Sequence, residues 1–195
     1  MLKTKEIKNS KHFQKKMFID FVTHLITTVG ENVSREGLRE TPQRVFQMYK
    51  ELLSGYFQDI GTVFKTFKSN GYNGLITLTN IDFYSLCEHH LIPFLGKIHI
   101  GYVPDGKILG LSKFIRLIEI LTHRLQTQEY LTEQLCNIVE KNLKPKGLIV
   151  VIEAQHLCMR MRGVKKKSLV KTTVSRGLFK KDTKLLKQFY REIND

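Results

Sequence analysis

Cys87-Glu88-His89-His90 lies between two stretches, residues 75–81 and 94–103, rich in Ile, Val, Thr and aromatics. The second alternates, with Ile98, Ile100 and Tyr102 on one face, as a half-buried strand does. Residues 87–93 therefore read as a connection between two strands, a common location for reactive groups. The connection holds a thiol and an imidazole three residues apart, Cys87 and His90, with His89 between them. Thiolate and imidazole nitrogen are the donors zinc prefers. The same pairing recurs only at His156-x-Cys158. If Cys158 adds a third ligand, a tetrahedral ion keeps one open position, the mark of a catalytic zinc. The competing reading is a thiol packed as a small hydrophobe, which suits Cys136 in its apolar helical stripe.

Downstream, Pro104-Asp105-Gly106 is a turn. Ser112 is placed to cap a helix that buries Ile115, Ile118, Leu121 and Leu125. Lys113 and Arg116 share a face near the start of that helix, where cations oppose the dipole, a pattern that suggests an anion joining them, although two solvated charges are the commoner explanation of such a pair. A second helix, opened by Gln128-Glu129 and running to Leu143, turns Leu131, Leu135, Ile138 and Val139 inward. After the turn Pro145-Lys146-Gly147, residues 148–152 read as a buried strand. Carrying its period of two onward puts His156, Cys158, Arg160 and Arg162 on one face. The basic loop 163–168 leads to a hairpin partner over 169–179. Asp182 then caps a last helix with Leu185, Leu186, Phe189 and Ile193 inward.

Upstream, residues 1–10 read as a basic mobile arm. The apolar positions Phe13, Met17, Phe18, Phe21, Val22, Leu25, Ile26 and Val29 predict a helix from Lys11 that ends at Gly30. Thr41-Pro42 opens a second helix with Val45, Met48, Tyr49 and Leu52 on one face. Residues 56–73 read as linker. The division expected is an arm over 1–10, a helical region with linker over 11–73 and a catalytic domain over 74–195.

With 195 residues and 42% apolar content, the chain has enough for a real core. No apolar run is long enough to span a membrane, and no secretory signal opens the chain. Three cysteines without framework spacing argue for a reducing compartment, so the cytoplasm is the location expected. The net charge of +14 attracts polyanions without choosing among them. No nucleic-acid motif accompanies it.

Several separated segments together resemble GTP cyclohydrolase I. They are Arg35-Glu36-Gly37-Leu38 with Thr41-Pro42 and Arg44-Val45, Cys87-Glu88-His89-His90-Leu91 with Pro93-Phe94, and Gly110-Leu111-Ser112-Lys113. Gln126-x-Gln128-Glu129 and His156-x-Cys158-Met159 through Met161-Arg162-Gly163 complete the set. Order and spacing hold from about Arg35 to Phe179, and joint agreement is far more specific than any one motif. The resemblance implies an α+β tunnelling fold, an antiparallel four-stranded sheet carrying two helices in the order β-β-α-α-β-β, preceded by N-terminal helices. It also implies sheets joined into barrels in a toroidal homo-oligomer, a decamer, with active sites between subunits.

The activity implied is hydrolysis of GTP to formate and 7,8-dihydroneopterin triphosphate, the entry to folate or tetrahydrobiopterin. By resemblance, Cys87, His90 and Cys158 hold Zn2+, and His89 and His156 are catalytic. Gln128 and Glu129 bind guanine, while Ser112, Lys113, Arg116 and Arg162 bind triphosphate. Each role is chemically sensible. Zinc brings the pKa of bound water to about 7, and imidazole suits proton transfer to the purine near neutral pH. A carboxylate accepts from guanine N1–H and the 2-amino group, a pattern adenine lacks.

Three rivals use some of these features. A zinc-stabilised RNA-binding domain would use the charge but leaves Glu129 and the imidazoles idle. A zinc nucleobase deaminase requires a C-x-x-C that this chain lacks. A zinc-free tunnelling-fold reductase would not need the pairing of His90 with Cys158.

Overall fold

The computed structural model describes residues 11 to 194; the arm expected over residues 1–10 lies outside the described residues. The chain forms two compact units that divide after Leu52. In the first, α1 (Lys11–Thr28) and α2 (Thr41–Leu52) pack through Phe18, whose ring lies 5.8 Å from Phe46 and 5.6 Å from Tyr49. Val22 is buried, yet Met17, Phe21, Leu25 and Val29 are exposed. The sequence reading took all of them only as recurring at helical spacing. The exposed Met17, Phe21 and Leu25 form a row at spacing four along one edge of α1, and Val29 follows in the turn beyond it.

The second unit begins with two single 3-10 turns, Ser54–Phe57 and Ile60–Val63. β1 (Thr66–Lys68) follows, then the long hairpin β2 (Ile76–Cys87) and β3 (Pro93–Val103). β4 (Lys107–Leu109) pairs with β1, and α3 (Leu111–Thr122) leads through β5 (Leu125–Gln126) to α4 (Gln128–Leu143). The chain closes with β6 (Gly147–His156), the single turn α5 (Leu157–Arg160), β7 (Val170–Gly177) and α6 (Thr183–Asn194).

Residues 53–73, read from sequence with the helical region, belong to the second unit. Arg124 Nε and Nη2 both donate to Gly55 O, at 3.0 and 2.7 Å, and Val63 joins the main core. Gly55 permits the approach, since a Cβ there would meet Ile120 O at 2.0 Å.

The expected antiparallel four-stranded sheet is present in the order β2-β3-β6-β7, and β5 adds a two-residue parallel edge beside β2. β2 is longer than the sequence suggested. Asn80-Ile81-Asp82 looks like a break, but it is absorbed as an irregularity between Leu78 and Ile81, with Asn80 at φ 56°. Beyond it Phe83 and Ser85 turn inward.

β6 is buried on both faces. Leu148, Val150 and Ile152 meet Phe114, Leu117, Leu121, Leu131 and Leu135 of α3 and α4, while Ile149 and Val151 meet Phe189 and Ile193 of α6. Two departures concern α3. Gly110, not Ser112, is its N-cap, and Ile115 is exposed while Phe114 fills the inward place. Asp182 does cap α6, its Oδ1 accepting from the Lys184 and Leu185 N–H groups. No helix among the described residues is long and apolar enough to cross a membrane.

Candidate active site

The hairpin loop after β2 is tied at its base. Cys87 N–H donates to Ile92 O at 3.0 Å, Leu91 N–H returns to Cys87 O at 2.8 Å, and Glu88 N–H reaches Gln126 O of β5 at 3.1 Å. Leu91 takes up the left-handed turn at φ 53°. This folding brings His90 Nδ1 to 3.7 Å and His89 Nδ1 to 3.8 Å from Cys87 Sγ.

Cys158 arrives from the other side of the site, by a route the period of two did not foresee. β6 stops at His156 and the chain enters the helical turn α5, so Cys158, Arg160 and Arg162 are not successive residues of one strand face. The turn is closed by Met161 N–H to Leu157 O at 2.9 Å. Arg160 is exposed and its Nη1 donates to Gln155 Oε1.

The ligand atoms of Cys87, His90 and Cys158 lie within 4.8 Å of one another. Both thiols are buried at the rim of the main core, and His90 is exposed. Zinc bonds of about 2.3 Å to sulfur and about 2.0 Å to nitrogen place tetrahedral donors roughly 3.5 Å apart, close to the Cys87–His90 separation. Burial, and after it the neighbouring Cys87, push the Cys158 thiol above its usual pKa. Two adjacent thiolates repel unless a cation joins them, and this soft S/S/N donor set fits zinc. Cys136, by contrast, is fully enclosed in α4, and burial pushes its thiol up to about 12; it is core.

His156, at the end of β6, is cross-strand from Phe94, and the two rings stack with centroids 4.8 Å apart and planes 1° from parallel. Its Nε2 lies 2.9 Å from Gln128 Oε1. Burial lowers its pKa, and the Glu129 carboxylate opposes that shift. Thr127 caps α4 by accepting from Tyr130 N–H at 3.2 Å, so Glu129 stands exposed in the first helical turn, where the dipole favours an anion.

Gln128 does not accompany Glu129 outward. It is buried, and its amide nitrogen lies 2.9 Å from Ile152 O, 3.0 Å from Val170 O and 3.1 Å from Thr172 Oγ1. Its expected contact with guanine is not available to a side chain committed in this way.

Ser112, Lys113 and Arg116 lie in the first half of α3, near β4. The opposite end of that helix approaches the Cys87 loop through Arg124 O, which accepts from Ser85 Oγ, and through β5. Ten residues of helix separate Ser112 from Thr122, roughly 15 Å. Ser112 and Lys113 thus sit at the end of α3 remote from the Cys87 loop, with Arg116 between the two ends.

Phe94, Thr132 and Thr172 belong to the site and escaped the sequence reading. A signal existed for one of them: Gln128 and Thr132 are four apart on the apolar side of α4, where polar side chains need internal partners.

The family model described as GTP cyclohydrolase I matches residues 19–194. A protein of Campylobacter jejuni named GTP cyclohydrolase 1 is 46% identical over 182 residues, covering 92% of this chain and 95% of that one. Its namesake in Helicobacter pylori is 47% identical over 172 residues, 87% and 96% of the two chains. That of Bartonella bacilliformis is 50% identical over 163 residues, 81% and 78%. The crystal structure of an archaeosine synthase QueF-Like in the apo form is similar at TM-score 0.46 and 17% identity, over 53% of this chain and 94% of that one, too slight a likeness to argue from. The chain belongs to the GTP cyclohydrolase I family.

Proposed function

We propose that this enzyme acts on GTP by zinc-dependent hydrolysis at purine C8. The imidazole ring opens to a formamide, formate leaves, and the remainder becomes 7,8-dihydroneopterin triphosphate, the first intermediate toward folate or tetrahydrobiopterin. The observation that carries the reading is the convergence of Cys87, His90 and Cys158 beside His89. Zinc held by these three supplies Lewis acidity and an acidic water near neutral pH.

The chain's own groups supply the remaining functions. His89, exposed beside Cys87, gives a proton to the purine ring and makes C8 electrophilic. His156, stacked on Phe94, serves proton transfer from a fixed position. Glu129 accepts from guanine N1–H and the 2-amino group, and a site built for those donors rejects adenine. Arg162 meets the triphosphate with charge-assisted hydrogen bonds.

Ser112, Lys113 and Arg116 complete the triphosphate site from a neighbouring subunit, a reading supported by the way α3 carries its first turn away from the Cys87 loop of its own chain. This supports sites between subunits in a toroidal homodecamer, whose joined sheets would also cover the open edge of β7. The test is to incubate zinc-loaded protein with GTP and assay formate together with neopterin fluorescence after oxidation and dephosphorylation. Both products should appear, vanish with a chelator and return with zinc. Neither product from a folded, zinc-loaded protein overturns the proposal.

A further inference from the structure

We infer that Gln128 is a positioning residue that holds His156 as the Nε2–H tautomer and turns its Nδ1 lone pair toward substrate. The inference rests on the catalytic part proposed above for His156.

Its basis is that every donor around Gln128 has an assignable direction. Ile152 O and Val170 O are backbone carbonyls and only accept, so the Gln128 group 2.9 and 3.0 Å from them is the NH2. The amide oxygen then faces His156 Nε2 at 2.9 Å, and because that oxygen only accepts, Nε2 carries the hydrogen. A second run of bonds agrees. Thr132 Oγ1 donates to Gln128 O at 2.7 Å, so it accepts from Thr172 Oγ1 at 2.6 Å. Thr172 has thereby given up its only hydrogen, so its oxygen turns a lone pair toward Gln128 Nε2 at 3.1 Å and shares the two amide hydrogens with the two carbonyls.

Gln128 and Thr132 are buried, and a reversed amide would set its oxygen against two carbonyl oxygens. Leaving such groups unpaired costs far more than a typical hydrogen bond contributes. The Phe94 ring fixes the imidazole plane, while Gln128 fixes its rotation within that plane. No partner for His156 Nδ1 occurs among the described residues.

The test pairs kinetics with a spectroscopic reading. Gln128→Met keeps the length but removes both hydrogen-bonding groups. Its kcat should fall roughly 10–100-fold, as for other residues that orient a reacting group through hydrogen bonds. KM for GTP and the preference for GTP over inosine triphosphate, which lacks the 2-amino group, should stay unchanged. Glu129→Gln, the control, should lose that preference. A risen KM and a lost preference in Gln128→Met, with kcat retained, would make Gln128 a guanine contact and overturn the inference; so would unchanged kinetics.

Should Gln128→Met fail to fold, nitrogen-15 spectra of the unmutated zinc-loaded protein decide. With seven histidines in the chain, the His156 signal is assigned by its loss in His156→Asn. In spectra taken at a pH where the ring is neutral, a protonated Nε2 supports the inference, and a protonated Nδ1 overturns it. Full turnover in His156→Ala would instead remove the catalytic part proposed for His156 and leave the tautomer assignment standing.

Discussion

Cys158 is eight per cent exposed and shares the core rim with Cys87, so its thiol could pass for packing until the His90 nitrogen beside both is considered. Cys158→Ala removes one of three ligands, and both bound zinc and turnover should disappear. Metal analysis checks the first, and stoichiometric zinc in the variant would remove Cys158 from the ligand set. His89→Ala should keep its zinc and lose about 10²–10⁴ in turnover, the usual worth of a positioned acid or base; full activity would exclude proton transfer by His89.

His99 makes a separate prediction about stability. It is buried in β3, and its Nδ1 accepts from Asn80 N–H at 3.3 Å. Burial lowers its pKa most; Glu153 opposes, and Lys171 and Lys97 add to the lowering. The unfolded chain therefore binds a proton at His99 before the folded chain does. Stability is lost as pH falls from the ordinary histidine value toward the depressed folded one. His99→Phe should show a smaller loss than the unmutated protein between about pH 7.5 and about pH 5.5 in urea unfolding, and equal losses would refute this origin. At this scale the sequence disclosed residue types and spacing, hence the Cys87 and His90 pair that the fold brings to Cys158. It did not disclose that Gln128 points inward, because the acceptors awaiting its amide come from β6 and β7, far along the chain.

At the scale of elements, α4 presents adjacent residues to opposite environments, Gln128 to the core and Glu129 to solvent, and the Thr127 cap sets where that division falls. Thr127→Ala should cost about 1 kcal/mol of stability, a typical value for a lost N-cap. Because the first turn carries Glu129, KM for GTP should rise as well; denaturant titration and steady-state kinetics check the two effects, and an unchanged KM would separate the cap from the site. Strands and helices were legible wherever a period persisted, as in β3, β6 and α4. They were misread where a period was carried past its end. Beyond His156 the alternation in type, His156, Cys158, Arg160 and Arg162, survives in the sequence while the backbone has become helical. Alternation of reactive groups marks a strand only where burial enforces it, and Met159 to Arg162 are exposed.

At the scale of the molecule, Ser112 and Lys113 stand at the end of α3 opposite the one that approaches the Cys87 loop, whereas Arg162 lies on the side of Cys158. A site drawing on two subunits predicts complementation. Cys87→Ala and Lys113→Ala should each be inactive alone, whereas oligomers re-formed from a mixture should regain activity in about a quarter of their sites. Persistent inactivity of verified mixed oligomers would refute the shared site.

By itself the sequence determined the order of the four long strands and the main helices, the inward residues of β3 and α4 and the family, because periodicity and motif spacing are local properties of the chain. Tertiary structure alone decided three matters: the helical turn by which Cys158 approaches Cys87 and His90, the inward turn of Gln128 and the packing of residues 53–73 against α3 and the core. Each depends on partners far apart in sequence, so burial and hydrogen bonding across the sheet, rather than local pattern, set the outcome.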